Sequence, residues 1–390
     1  MRPQDETLMR ELGWLREFTP ATRSAAGALP SLGGERLLVV CHLDLKMIPY
    51  LETLVAAGAE VWTCAANPAT TRDRVAEHLE ATGIRVPARA SDPPERHAAH
   101  LRAAISAGPT LLSEMGADAT AATGGGLRSV RGGLEATGTG IERLSGLELA
   151  YPVFNWDEVP IKQGLHNRHL VGLMAANTFL DVTGLSLYDK TVLVVGYGPV
   201  GRGAADAARS FGAVVEVCDV DPAARLAAAH LGFGTTTLEE GLSRADVVFT
   251  ATGRDGAVPS DAIARCKSGA FLANLGHTSG ELPVAALRSR VVAAPRPHVE
   301  RCEVEGRTLY LLAGGAMFNL AAGPGDPYDT FDLVTALMLE ATSFLATEGV
   351  EYPPGLHLLP RAVQDRAARH VLDRAATAGG ASGSLRDTRP

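Results

Sequence analysis

The chain has 390 residues, enough for two domains with full cores. A net charge of −8 and a pI near 5.8 exclude the basic balance expected of a protein that binds nucleic acid or an anionic membrane surface. Apolar residues reach 46%, yet no unbroken run has membrane-spanning length and residues 1–6 lack a signal-peptide core, so a cytoplasmic protein is expected.

Residues 8–28 read as a helix followed by an Ala-rich turn. Arg36–Cys41 reads as a buried strand, 47–57 as a helix with Pro49 in its first turn, 60–64 as a strand and 71–82 as a helix. This βαβ rhythm predicts a parallel layer. The Gly- and Thr-rich stretch 119–140 reads as a loop or a set of turns. A helix over 167–183 leads into a strand at Thr191, and strands and helices then alternate to Leu312. A turn at 323–327 precedes a long amphipathic helix, Tyr328–Thr347. Another turn at 355–360 precedes a helix over 360–376, and the composition from 379 on is that of a disordered tail. The expected fold class is α/β with two domains, each a parallel sheet flanked by helices, the second a Rossmann dinucleotide-binding fold. The expected division is 1–168 for the first part of a substrate domain, 169–320 for the dinucleotide domain, 321–377 for helices returning to the first, and 378–390 for the tail. The default ligand site is a cleft between two such domains.

Five cysteines without metal-ligand spacing read as reduced thiols, and no metal is expected. Lys46, Lys162, Lys190 and Lys267 are the only lysines. Each merits inspection, because lysine can give up a proton near working pH and arginine cannot.

The strongest local signal is an apolar strand, Val192-Leu193-Val194-Val195, followed by Gly196-Tyr197-Gly198-Pro199-Val200-Gly201, a helix, a second strand and Asp219. Gly196 permits a sharp turn, Gly198 lets backbone approach a pyrophosphate, and Gly201 lets the helix pack on the strand. With strand, helix and acid all in place the pattern predicts dinucleotide binding. Asp219 would accept from an adenosine ribose and repel a 2′-phosphate, which favours NAD over NADP.

Three further segments resemble the S-adenosylhomocysteine hydrolase family, and the likeness extends from about residue 30 to 372. Tyr151-Pro152-Val153-Phe154-Asn155, with Lys162 and Asn167, resembles the segment joining its substrate and cofactor domains. Gly196–Gly203 resembles its cofactor loop, and Asn274-Leu275-Gly276-His277 its histidine-bearing loop beside the nicotinamide. The resemblance implies a resident NAD, which transiently oxidises a ribose 3′-hydroxyl so that the C4′ proton becomes acidic and the 5′ substituent can leave. It also implies roles: Lys162 at the 3′-hydroxyl, Asn167 orienting Lys162 or the carboxamide, His277 at the ribose and His42 near the 5′ end of the substrate. Thr137, Gly138 and Thr139 match a run that meets the nicotinamide, while Thr252, Gly253 and Asn274 are expected along the cofactor cleft. Hinges are expected near 168–180 and 318–325.

On the substrate side the chain departs from the family. Asp44, Lys46 and Met47 replace residues of the base-binding loop, and Arg72 replaces a glutamine. Met115 and Ala136 replace two acids of the ribose site. His166 stands at the position of the aspartate four residues beyond the lysine. Met317-Phe318-Asn319 replaces a Gly-His pair, and the family's C-terminal Lys…Tyr-Arg-Tyr tail is missing. A cationic His166 would push the pKa of Lys162 down, where a carboxylate would push it up. Lys46 and Arg72 could meet a differently decorated substrate, or pair with Asp44 and Asp73. Three readings stay open: a specialised nucleoside dehydratase or lyase, a genuine S-adenosylhomocysteine hydrolase, and a non-catalytic NAD-binding regulator. The expected partners are a small nucleoside substrate and further copies of the chain in a dimer or tetramer, with no nucleic acid and no membrane.

Overall fold

The computed structural model describes residues 3–378, which form two compact units. One runs to Ile161 and resumes at Tyr328; the other is Lys162–Pro327. The tail expected over 378–390 lies, from 379 on, outside the described residues.

The first unit opens with the helices Pro3–Glu17 and Pro20–Ala28. The Ala-rich segment is thus a second helix, not a turn. Pro20 starts it and its alanines favour it. No side chain of its own N-cap closes it; the Asp332 carboxylate does so, accepting from the N–H groups of Ala21 (2.9 Å) and Thr22 (2.7 Å). Five strands follow: β1 (Arg36–Cys41), β2 (Glu60–Ala65), β3 (Leu111–Glu114), β4 (Gly132–Glu135) and β5 (Pro152–Asn155). The stretch expected as turns over 119–140 instead takes in most of a helix at Asp118–Ala122, all of β4 and the start of a helix at Gly138–Ser145. Gly132 and Gly140 serve close packing: a Cβ on Gly132 would lie 2.8 Å from Leu345 Cδ1, and one on Gly140 would lie 2.3 Å from Glu135 Oε1.

The second unit holds β6 (Thr191–Val195), β7 (Val214–Cys218), β8 (Gly234–Thr235), β9 (Val247–Thr250), β10 (Ala270–Asn274), β11 (Val291–Arg296), β12 (Val299–Val304) and β13 (Arg307–Leu312). Their order is β11-β12-β13-β10-β9-β6-β7-β8. The six strands from β13 to β8 are parallel, and two hairpins extend the sheet antiparallel through β12 to β11. The tight β12–β13 turn has Glu305 and Gly306 both at positive φ, which matches the right-handed strand twist. From β6 the chain winds outward through β7 and β8, then returns to β9 on the other flank of β6. The carboxyl ends of β6 and β9 therefore flank a topological switch point, where a doubly wound sheet leaves a crevice.

After Pro327 the chain re-enters the first unit through the helix Tyr328–Thr347. Among the described residues it is the one helix long and apolar enough to cross a membrane, and 72% of its apolar window is buried in the protein. Val334, Leu337, Leu345 and Phe344 place it in the core beside Leu37, Val39 and Phe154. The segment expected as a turn at 355–360 forms β14 (Gly355–Leu358), which pairs in parallel with β5. It completes an all-parallel sheet of order β14-β5-β4-β3-β1-β2, whose own switch point lies between β1 and β3. The last helix is Arg361–Ala378.

Candidate functional site

At the carboxyl end of β6, Gly196 has φ +95°, and a Cβ there would stand 2.7 Å from the Ala251 carbonyl oxygen. Gly201 lies in the helix Pro199–Ser210, where a Cβ would come within 1.9 Å of the Gly196 carbonyl oxygen. Gly198 differs from both. It caps that helix with no side-chain hydrogen bond, and a Cβ there would meet nothing within 4 Å. Packing inside the protein explains Gly196 and Gly201 but not Gly198, whose missing side chain leaves a cradle at a helix N-terminus with Pro199 and Val200 in its first turn. The Asp219 carboxylate is oriented by the N–H groups of Tyr197 (2.6 Å) and Asp221 (2.8 Å), and each oxygen keeps a further lone pair. This arrangement fits a dinucleotide.

Across the switch point, Thr252 and Gly253 follow β9. Both donate backbone N–H groups to Glu281, at 2.9 and 2.8 Å, and the Thr252 hydroxyl adds a third bond. Glu281 is fully buried; burial pushes its carboxyl up and these hydrogen bonds pull it down. The carboxyl also lies against Gly276, where a Cβ would be 1.6 Å from Oε1, so the loop bearing His277 is seated on it. Asn274 ties the same loop from the end of β10. Its amide donates to the carbonyls of Gly276, Thr278 and Gly315, and its oxygen accepts from the Gly276 N–H. Beyond Gly315, Met317 bridges to Asn274 and is half-buried. Phe318 and Asn319 are buried, with Phe318 in the core of the unit.

The helix expected over 167–183 begins earlier, with a π-helical turn at Lys162–Leu170 that passes into an α-helix at Val171–Thr183. The wider turn brings residues four and five apart together on one face. Lys162 Nζ lies 3.0 Å from His166 Nδ1 and 2.6 Å from Asn167 Oδ1. His166 Nε2 in turn lies 2.9 Å from Asp326 Oδ2, and both residues are buried. An ionised carboxylate only accepts, so the Nε2 proton of His166 points at Asp326. The segment packs close to the cofactor helix: a Cβ on Gly203 would lie 2.3 Å from the Arg168 carbonyl, and one on Gly172 would lie 2.3 Å from the Ala204 nitrogen. Lysine, histidine and asparagine were all legible as site candidates. Asp326 was not, because an acid within Gly-Pro-Gly-Asp-Pro reads as a turn former.

The remaining candidates belong to the first unit. His42 follows β1, and its Nδ1 lies 2.8 Å from the Thr70 hydroxyl. That hydroxyl spends its only proton on the Asn67 carbonyl (2.8 Å), so Nδ1–H is the donor and Nε2 is left as the basic nitrogen of the neutral ring. Lys46 is buried with its ammonium 2.7 Å from Asp44, while Asp44 also caps the short turn Leu45–Met47; Met47 is core. Arg72 begins the helix Asp73–Ala81, its N–H bound to the Leu43 carbonyl. Met115 and Ala136 directly follow the paired strand ends Glu114 and Glu135.

Those two glutamates are both buried. Glu135 accepts from the N–H groups of Gly116, Ala117 and Thr137 and from the Thr137 hydroxyl, which fixes the start of the Thr137-Gly138-Thr139 loop. Glu114 holds the N–H groups of Ala119 and Thr120. Burial outweighs these bonds, pushing Glu114 up to about 7 and Glu135, which also feels the Glu114 charge, up to about 8. Folding therefore favours their protonated forms. The stability they confer is full below the unfolded value near 4.5 and is lost as pH rises through about 7 to 8. Between pH 6 and 9 the Tm of a Glu135→Gln variant should gain on that of the parent, as read by calorimetry at matched ionic strength. A gap that stays constant would refute the titration.

Residues 176–325 match the family model described as S-adenosyl-L-homocysteine hydrolase, NAD binding domain. Over 377 residues the chain is 34% identical to an adenosylhomocysteinase of Aeropyrum pernix, covering 93% of this chain and 91% of that protein. It is 33% identical to an adenosylhomocysteinase of Thermotoga maritima, covering 93% of each. It is also 32% identical to an S-inosyl-L-homocysteine hydrolase of Methanopyrus kandleri, covering 92% of this chain and 88% of that protein.

Proposed function

Because the chain belongs to the S-adenosyl-L-homocysteine hydrolase family and its cofactor is NAD, we propose that it eliminates the 5′ substituent of a nucleoside other than S-adenosylhomocysteine, as a specialised dehydratase or lyase. The observation that supports this reading is the buried Asp44–Lys46 pair. A charge pair stands in the loop where the family resemblance places base recognition, while the Lys162 turn and the dinucleotide cradle keep their chemistry.

When bound, NAD supplies the two-electron oxidation at C3′ that makes the C4′ hydrogen acidic. The Gly198 cradle and Asp219 would hold its pyrophosphate and ribose, with Thr252, Gly253 and Asn274 shaping the rest of the crevice. Lys162 takes the 3′-hydroxyl proton, held for that task by Asn167 and His166. His42, oriented by Thr70, takes the C4′ proton on its basic Nε2 and, as the imidazolium, delivers it to the departing 5′ group. For a 5′-hydroxyl the leaving group is water, and the 3′-ketone is reduced again before release of a 4′,5′-unsaturated nucleoside.

The adenosylhomocysteinases among the relatives favour a second reading, hydrolysis of S-adenosylhomocysteine itself; the inosyl enzyme of M. kandleri supports variation in the base. One experiment separates the two. The NAD-loaded protein is incubated in heavy water with S-adenosylhomocysteine, adenosine and sugar-modified adenosines, and the nucleosides are analysed by mass spectrometry. A product lighter by one water, or deuterium at C4′ without homocysteine release, is the expected result. Homocysteine release establishes the second reading instead.

A further inference from the structure

The arrangement around Lys162 contains a group that the proposed chemistry has not yet used. We propose that Asp326, His166 and Lys162 form a proton relay, in which His166 takes a proton from Lys162 and Asp326 is the positioning residue that orients His166 for it. The proposal rests on Lys162 acting at the substrate alcohol, as above.

The geometry allows one sense of transfer. Asp326 Oδ2 holds the Nε2 proton of His166 at 2.9 Å, so the lone pair of the neutral ring is on Nδ1, and Nδ1 faces Lys162 Nζ at 3.0 Å. Asn167 Oδ1 lies 2.6 Å from Nζ and 2.9 Å from Nδ1, so it accepts from Nζ throughout and also from Nδ1 once the ring is an imidazolium. In the relay an Nζ–H bond of the ammonium breaks and an Nδ1–H bond forms. The neutral amine can then take the proton of the alcohol as C3′ is oxidised, the two-electron oxidation being what bound NAD would supply, and the proton returns by the same path when the alcohol is restored. The Asp326 carboxylate stabilises the imidazolium that forms, at a site where both side chains are buried and water screens little.

The arginines on the packed elements of this unit are already engaged. On the π-helical turn, Arg168 pairs with Asp206 of the helix Pro199–Ser210. On that helix Arg209 also pairs with Asp206, and Arg202 donates to the Tyr197 carbonyl. His169 shares the turn, and Asp181 lies toward the far end of Val171–Thr183. A histidine thus stands where the family resemblance places an aspartate, and the carboxylate arrives 160 positions later in the chain.

The test uses the full-length, NAD-loaded protein with ¹⁵N-labelled histidine, His166 being assigned from the signal lost in His166→Gln. His166 should be the Nε2–H tautomer when neutral. In Asp326→Asn its titration midpoint should fall by about one pH unit or more, because the anion favouring the imidazolium is gone. In Lys162→Met the midpoint should rise, because the neighbouring ammonium is gone. Reduction of bound NAD by adenosine, followed by reduced-nicotinamide absorbance, should slow about tenfold or more in Asp326→Asn, its acid limb moving to lower pH, with partial recovery in Asp326→Glu. An Nδ1–H tautomer in the parent, or a midpoint indifferent to both substitutions, overturns the relay. If adenosine and every other nucleoside fail to reduce NAD, the functional reading fails, while the tautomer and the two midpoints still decide the relay.

Discussion

Lys162→Met should lower the rate of substrate oxidation by about 10²–10⁴-fold while the protein keeps its fold and its NAD. Methionine keeps the length and apolar stem of lysine and removes only the nitrogen that meets His166 Nδ1 and Asn167 Oδ1. Lys162→Arg should be nearly as slow, because a guanidinium restores the charge and hydrogen bonds but gives up no proton at working pH. The pair therefore separates proton transfer from electrostatic binding. Single-turnover reduction of bound NAD measures the step directly, and the quantity of NAD retained after gel filtration reports the cradle. An arginine variant within tenfold of the parent would mean that Lys162 positions the alcohol without taking its proton.

The second large effect concerns the glycine loop, where two neighbouring substitutions should behave differently. Gly201→Ala puts a Cβ within 1.9 Å of the Gly196 carbonyl oxygen, so backbone must move and no flexible side chain can absorb the clash. Overpacking of this kind costs about 1–3 kcal/mol or more. Both Tm and NAD retention should fall, since lifting the helix from β6 moves the amides at its start. Gly198→Ala meets open space and should leave Tm nearly unchanged. Its methyl group, however, would occupy the side of the turn that a pyrophosphate is expected to approach, so NAD affinity should still drop by an order of magnitude or more. Calorimetry and NAD titration on the two variants check both statements. A Gly198→Ala protein that binds NAD as tightly as the parent would remove Gly198 from the cofactor site.

Where sequence reading went astray in the fold, long-range contact outweighed local preference. Glycines in 119–140 look like turn residues, yet Gly132 lies in a buried strand under Leu345 and Gly140 lies in a helix against Glu135. Alanines in 20–28 look like a connection until Asp332, distant in sequence, caps them as a helix. In 355–360 the pattern shows a turn, and only the free edge of β5 makes it a strand.

The family resemblance singled out Lys162, His166 and Asn167, while the sequence by itself determined the α/β alternation and the dinucleotide loop with its acid. Each depends on residues close together in the chain, where the periods of helix and strand and the steric freedom of glycine leave few alternatives. Only the tertiary structure decided that Asp326 meets His166 and that Glu281 meets Thr252 and Gly253. The physical reason is the same each time. A buried charge must find a partner, and which partner it finds depends on how distant segments pack, information that no local pattern contains.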